Sequence, residues 1–118
     1  MLAGNRTHRV GDQILREISN LLLRKVKDPR LKGVTITDVH MSKDLRHAYV
    51  YYSLFWEGQQ KKQAHEGFES AKGFIRREIG ERLQLRYVPE IQFRYDESLD
   101  YGQKMERVLA KLDSGSDE

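Results

Sequence analysis

Apolar residues in this chain fall first at helical spacing, then in alternation, then at helical spacing again. Val10, Ile14, Ile18, Leu21 and Leu22 recur every three or four residues, and Leu15 and Val26 widen the stripe. The spacing predicts an amphipathic helix from about His8; residues 1–7 lack periodicity and read as a flexible start. Asp28-Pro29-Arg30 ends the helix, because the residue before a proline avoids helical angles. Beyond Gly33, residues 34–41 alternate and are rich in β-branched side chains, the mark of a strand. Val34 and Ile36 lie in one phase and Val39 and Met41 in the other, so a bulge near Thr37-Asp38 is expected. Residues 42–46 supply a turn, and residues 48–55 return as a hairpin partner. On that second strand Ala48, Val50, Tyr52 and Leu54 share one face, and Tyr49, Tyr51, Ser53 and Phe55 the other.

Helical spacing resumes with Ala64, Phe68 and Ala71, then with Ile75, Ile79 and Leu83. These read as two helices meeting at Ala71-Lys72-Gly73, where glycine permits a kink or a close approach. Pro89 fits the start of a third strand, in which Ile91, Phe93 and Tyr95 alternate with Gln92 and Arg94. Leu99, Met105, Val108, Leu109 and Leu112 then suggest a short helix over 97–112, packed on a domain spanning 8–96. Residues 113–118 read as a disordered acidic tail. The expected class is α+β, a three-stranded sheet with helices on one face.

Charged residues make up 33% of the 118 positions, against about 25% in an ordinary domain, so apolar material is too scarce to cover both faces of a sheet. The charge is polarised: residues 1–94 hold 18 Lys and Arg against 11 Asp and Glu, whereas 95–118 hold 3 against 7. A basic body attracts polyanions, nucleic acid above all, although a solvated surface that binds nothing has the same composition. Lys72, Arg76 and Arg77 at the joint, Arg82 and Arg86 beyond it, and Arg16 and Arg24 on the outer side of the first helix are the candidate phosphate contacts. Tyr49 and Tyr51 would either stack bases or simply cover an open sheet. With no cysteine, thiolate sites and disulfides are excluded. His8, His40, His47 and His65 lack metal-ligand spacing, and no phosphate-loop or dinucleotide glycine pattern occurs. No metal, cofactor or enzymatic activity is expected. No apolar run spans a membrane and no secretory leader is visible, so a cytoplasmic protein is expected.

The order helix, strand, strand, helix, helix, strand is that of the second type of KH domain, which clamps RNA with a Gly-x-x-Gly loop between its paired helices. Here Ala71-Lys72-Gly73 takes that place. Together with Val10-Gly11-Asp12-Gln13-Ile14, Val26-Lys27-Asp28-Pro29-Arg30-Leu31, Asp44-Leu45, Arg76-Arg77-Glu78-Ile79, Tyr87-Val88-Pro89-Glu90 and Tyr95-Asp96-Glu97-Ser98, the chain resembles the ribosome-binding factor A family, marked by an Ala-x-Gly kink. The resemblance implies a monomeric, KH-like assembly factor. Such a factor binds the small ribosomal subunit and its ribosomal RNA near the neck and decoding region during late maturation. It assists 5′-end processing, matters especially in the cold, and leaves partly with the help of a ribosome-associated GTPase. Two alternatives stay open: a protein-binding module using the acidic terminal helix, and a small hydrolase using Asp44 and His47.

Overall fold

The computed structural model describes residues 3–54 and 60–98; the expected terminal helix from residue 99 onward, the acidic tail and Phe55 lie outside them. Helix α1 (Ala3–Arg24) leads through a 3-10 turn (Pro29–Leu31) to strands β1 (Val34–Met41) and β2 (His47–Leu54). Helix α2 (Lys61–Leu83) then crosses to strand β3 (Glu90–Tyr95). The helix α1 begins at Ala3 rather than His8. No proline interrupts residues 3–7, so nothing stops the helix there.

The sheet has the order β1-β2-β3. Strands β1 and β2 are antiparallel, and Ile36 faces Tyr52 while Asp38 faces Tyr51. Thr37 is therefore the extra residue of a bulge, where the alternation of the sequence changes phase. Its hydroxyl donates to the Asp96 carboxylate at 2.6 Å, fastening the bulge to the end of β3. Strands β2 and β3 are parallel, pairing Ala48 with Ile91, Val50 with Phe93 and Tyr52 with Tyr95. A parallel pair needs a crossover, and α2 is that crossover.

Both helices cover one face of the sheet. Ile14, Ile18 and Leu21 of α1 and Ala64, Phe68, Ile75 and Ile79 of α2 meet Ile36, Ala48, Val50, Tyr52, Ile91 and Phe93, all buried. Phe68 lies at the centre: its ring stacks on Phe93 with centroids 4.2 Å apart and leans on Tyr52 at 4.8 Å. The other face of the sheet is open, and carries Thr35, Asp38, His40, Tyr49, Tyr51 and Arg94.

The helix pair expected around Ala71-Lys72-Gly73 is a single hydrogen-bonded helix. Its inward positions Ala64, Phe68, Ala71, Ile75 and Ile79 follow one another by three or four residues, which one helix accommodates without a change of phase. Gly73 is exposed, and a β-carbon built there meets nothing within 4 Å. Close packing is therefore not what Gly73 provides. At Gly80, by contrast, a β-carbon would stand 2.6 Å from a methyl of Val88, so this glycine lets α2 approach the segment leading into β3. Gly73→Ala should stabilise the fold by about 0.5–1 kcal/mol through helix propensity. Gly80→Ala should destabilise it by about 1–3 kcal/mol through overpacking. Urea denaturation midpoints of the two variants check this opposite pair of signs.

Candidate nucleic-acid interface

The cations singled out in the sequence fall into two groups once their partners are seen. Arg76 is committed to the fold. Its Nε donates to the Pro89 carbonyl at 3.1 Å and its Nη2 to the Val88 carbonyl at 3.2 Å, with Glu90 3.3 Å away. It clamps the segment entering β3, whose carbonyls have no helix or strand partner. Lys72 pairs at 2.9 Å with Glu69, one turn back on α2. Arg82 reaches across to α1, where its Nε stands 3.1 Å from Glu17, and it also lies 3.5 Å from Glu78.

Arg16, Arg24 and Arg77 are exposed and form no ion pair with any described residue. Arg24 shares with Arg82 and Lys25 a groove of about 330 Å³ between α1 and α2. Glu17 lines that groove, and Glu78 stands at its edge as the partner of Lys25 and Arg82, so its positive charge is partly neutralised. Arg86 is exposed elsewhere, its guanidinium 5.6 Å from the centroid of the Tyr87 ring.

Just past the end of α1, the Lys25 Nζ donates to Glu78 at 2.9 Å, tying α1 to α2. That hydrogen bond, with the charges of Lys25 and Arg82, holds the Glu78 carboxyl below its ordinary value of 4.5. Hydrogen bonds from Arg30 depress Asp28, and hydrogen bonds from the Ser42 hydroxyl and the Arg46 amide depress Asp44, each from 3.8. Folded values lie below unfolded ones at all three. Their stabilisation is therefore present above the unfolded values and lost as pH falls through the folded ones. The melting temperature should hold down to a pH of about 5 and then fall, and Asp44→Asn should make the acid limb shallower.

The open sheet face does not offer free aromatic platforms. Arg94 covers the Tyr49 ring at 4.5 Å, and His40 meets Tyr51 edge-on at 5.5 Å while pairing with Asp38 at 2.8 Å. These contacts suit the covering role of the two tyrosines. Nor do Asp44 and His47 form a dyad. Asp44 accepts from the Ser42 hydroxyl at 2.6 Å and from the Arg46 amide at 3.0 Å, and the His47 amide donates to the Ser42 hydroxyl oxygen at 3.0 Å. Both serve the turn. Among the described residues no cluster of three or more His, Asp or Glu could hold a metal ion, and no helix is long and apolar enough to cross a membrane.

Sequence reading passed over Arg6, Lys43 and Arg46. Arg6 lies in α1 and Lys43 and Arg46 in the β1–β2 turn, and the topology gathers them with Arg86 around one groove. Their only signal in the sequence is charge without a neighbouring carboxylate, apart from Asp44, which the turn occupies.

A one-faced α+β layer of order α-β-β-α-β, with basic side chains on its helices, defines a KH-like class of protein. The model of one family, ribosome-binding factor A, matches residues 6–109. Ribosome-binding factor A of Citrifermentans bemidjiense is 47% identical over 112 residues, covering 95% of this chain and 94% of its own. That of Staphylococcus saprophyticus is 48% identical over 107 residues, covering 91% and 94%. A crystal structure of ribosome-binding factor A from Thermus thermophilus superposes with a TM-score of 0.67 at 24% identity, over 75% of this chain and 94% of that one. The chain belongs to the ribosome-binding factor A family.

Proposed function

We propose that this protein binds the small ribosomal subunit and assists a late stage of its maturation by holding ribosomal RNA, with no bond made or broken by its own residues. Family membership over nearly the whole chain carries the reading. A Thermus thermophilus factor of the same fold has been fitted into a cryo-EM map of a 30S complex. In this reading the protein acts in the cytoplasm as a monomer near the neck and decoding region, supports 5′-end processing, matters most in the cold, and is released with help from a ribosome-associated GTPase.

The exposed cations Arg16, Arg24 and Arg77 contact phosphates directly, because none of them forms an ion pair among the described residues. Lys72 and Arg82 join only by exchanging Glu69 and Glu17 for phosphate, and Arg76 contributes by holding the β3 entry in place. The joint Ala71-Lys72-Gly73 lies on the course of α2, and its exposed glycine lets RNA approach the helix backbone. Co-sedimentation with mature and immature small subunits over a salt series tests the proposal. Saturable binding that weakens steeply with salt is expected; no binding to either form at low salt would sink it.

A further inference from the structure

The groove that gathers Arg6, Lys43, Arg46 and Arg86 has a volume of about 520 Å³, within the range of ligand sites. It lies between the start of α1, the β1–β2 turn and the segment joining α2 to β3. Its floor is apolar, made by Val10, Met41 and Leu85, and at its lip stands Tyr87, 71% exposed, with the Arg86 guanidinium 5.6 Å from its ring centroid, a looser cover than the 4.5 Å of Arg94 on Tyr49. None of the four cations has an ion-pair partner among the described residues. One carboxylate lines the groove, that of Asp44, whose Oδ1 accepts from the Ser42 hydroxyl and the Arg46 amide, so the four cations outnumber a single anion. Positive charge therefore surrounds an aromatic and apolar centre.

The walls are fixed in advance. The turn is closed by Leu45 N–H to Ser42 O at 2.9 Å, and is tied to β3 by Glu90 N–H to Arg46 O at 2.8 Å. The opposite wall is held by the Arg76 clamp on the Val88 and Pro89 carbonyls. Fixed walls reduce the ordering cost of binding.

We propose that this groove holds one unstacked nucleotide of single-stranded RNA, its base on the Tyr87 ring and the apolar floor, its flanking phosphates on Arg6, Lys43, Arg46 and Arg86. Every base has a face that stacks on an aromatic ring, and the phosphates on either side of it match cations placed around a rim. An acidic peptide would satisfy the cations but leave the apolar floor unused, and a duplex keeps its bases inside the stack. The inference rests on the RNA-binding reading above and adds to it a site for an extruded base.

The test uses the full chain with a fluorescein-labelled single-stranded RNA hexamer and the same hexamer in a duplex, each over a salt series. Tyr87→Leu should weaken single-strand binding about fivefold or more with the salt slope retained, and Tyr87→Phe should restore it to within about twofold. Arg6→Ala with Arg46→Ala should lower the salt slope by about 1.4. Equal binding by Tyr87→Leu, the double variant and the parent would overturn the site, as would duplex bound as tightly as single strand or displacement of the hexamer by an acidic peptide. The double variant leaves the turn's backbone bonds in place, so it decides the question even if Tyr87→Leu lowers the melting temperature. Small-subunit co-sedimentation of the parent protein separates the two ideas. Subunit binding with unaltered hexamer binding by the variants removes the groove alone, and failure of the parent to bind subunits removes the wider reading alone.

Discussion

Phe68→Ala should destabilise the protein by about 3–5 kcal/mol, the largest effect of any single substitution considered for this chain. The ring is fully buried, stacked on Phe93 from β3 and against Tyr52 from β2, and it projects from the middle of α2. Removing it opens a cavity between the crossover helix and both strands it connects, where no exposed side chain can turn inward to fill the space. A domain of this size has about 5–15 kcal/mol to lose, so much of the variant would be unfolded at 37 °C. Chemical denaturation with near-ultraviolet circular dichroism would check it; a loss under about 1.5 kcal/mol would mean that the helix collapses onto the sheet far better than the packing indicates.

Replacing Arg16, Arg24 and Arg77 together by Ala should weaken small-subunit binding by about two orders of magnitude at moderate salt and lower the salt slope by about two. All three side chains are exposed and lack ion pairs among the described residues, so their loss should leave the melting temperature within about 1–2 °C. The comparison of interest is Arg76→Ala. That substitution frees the Val88 and Pro89 carbonyls and should lower the melting temperature first, with reduced binding as its consequence. Sedimentation with small subunits beside thermal melts would distinguish the two behaviours. An unchanged salt slope in the triple variant would place the RNA contacts elsewhere on the surface.

Local patterning made the sheet legible. Alternation along residues 34–41 and 48–54 disclosed both strands, their hairpin and the bulge, because each rests on period-two burial against a single covered face. The helical crossover was legible in position but not in continuity. Gly73 drew attention as a breaker, yet the step from Ala71 to Ile75 is an ordinary helical interval, and an exposed glycine costs a helix too little to end it. The basic candidates were only half readable. Charge is visible in sequence, but its neutralisation is tertiary: Glu17 meets Arg82 across two helices, and Arg76 finds carbonyls more than a strand's length away. The same limit hid the groove around Tyr87, whose cations come from α1, the β1–β2 turn and the segment before β3.

The parallel pairing of β2 with β3 also sets an order of assembly. The β1–β2 hairpin closes over a short turn that carries its own hydrogen bonds, so it can form as soon as its residues are available. Strand β3 must reach from Glu90 back to His47 across the whole of α2, and that long loop is favourable only after the helix has begun to lie on the hairpin. While the chain is being synthesised, the outer edge of β2 therefore waits unpaired until residues 90–95 arrive. During that interval the hairpin presents a row of unsatisfied backbone groups to any other strand nearby, and the speed with which α2 docks decides how long the exposure lasts.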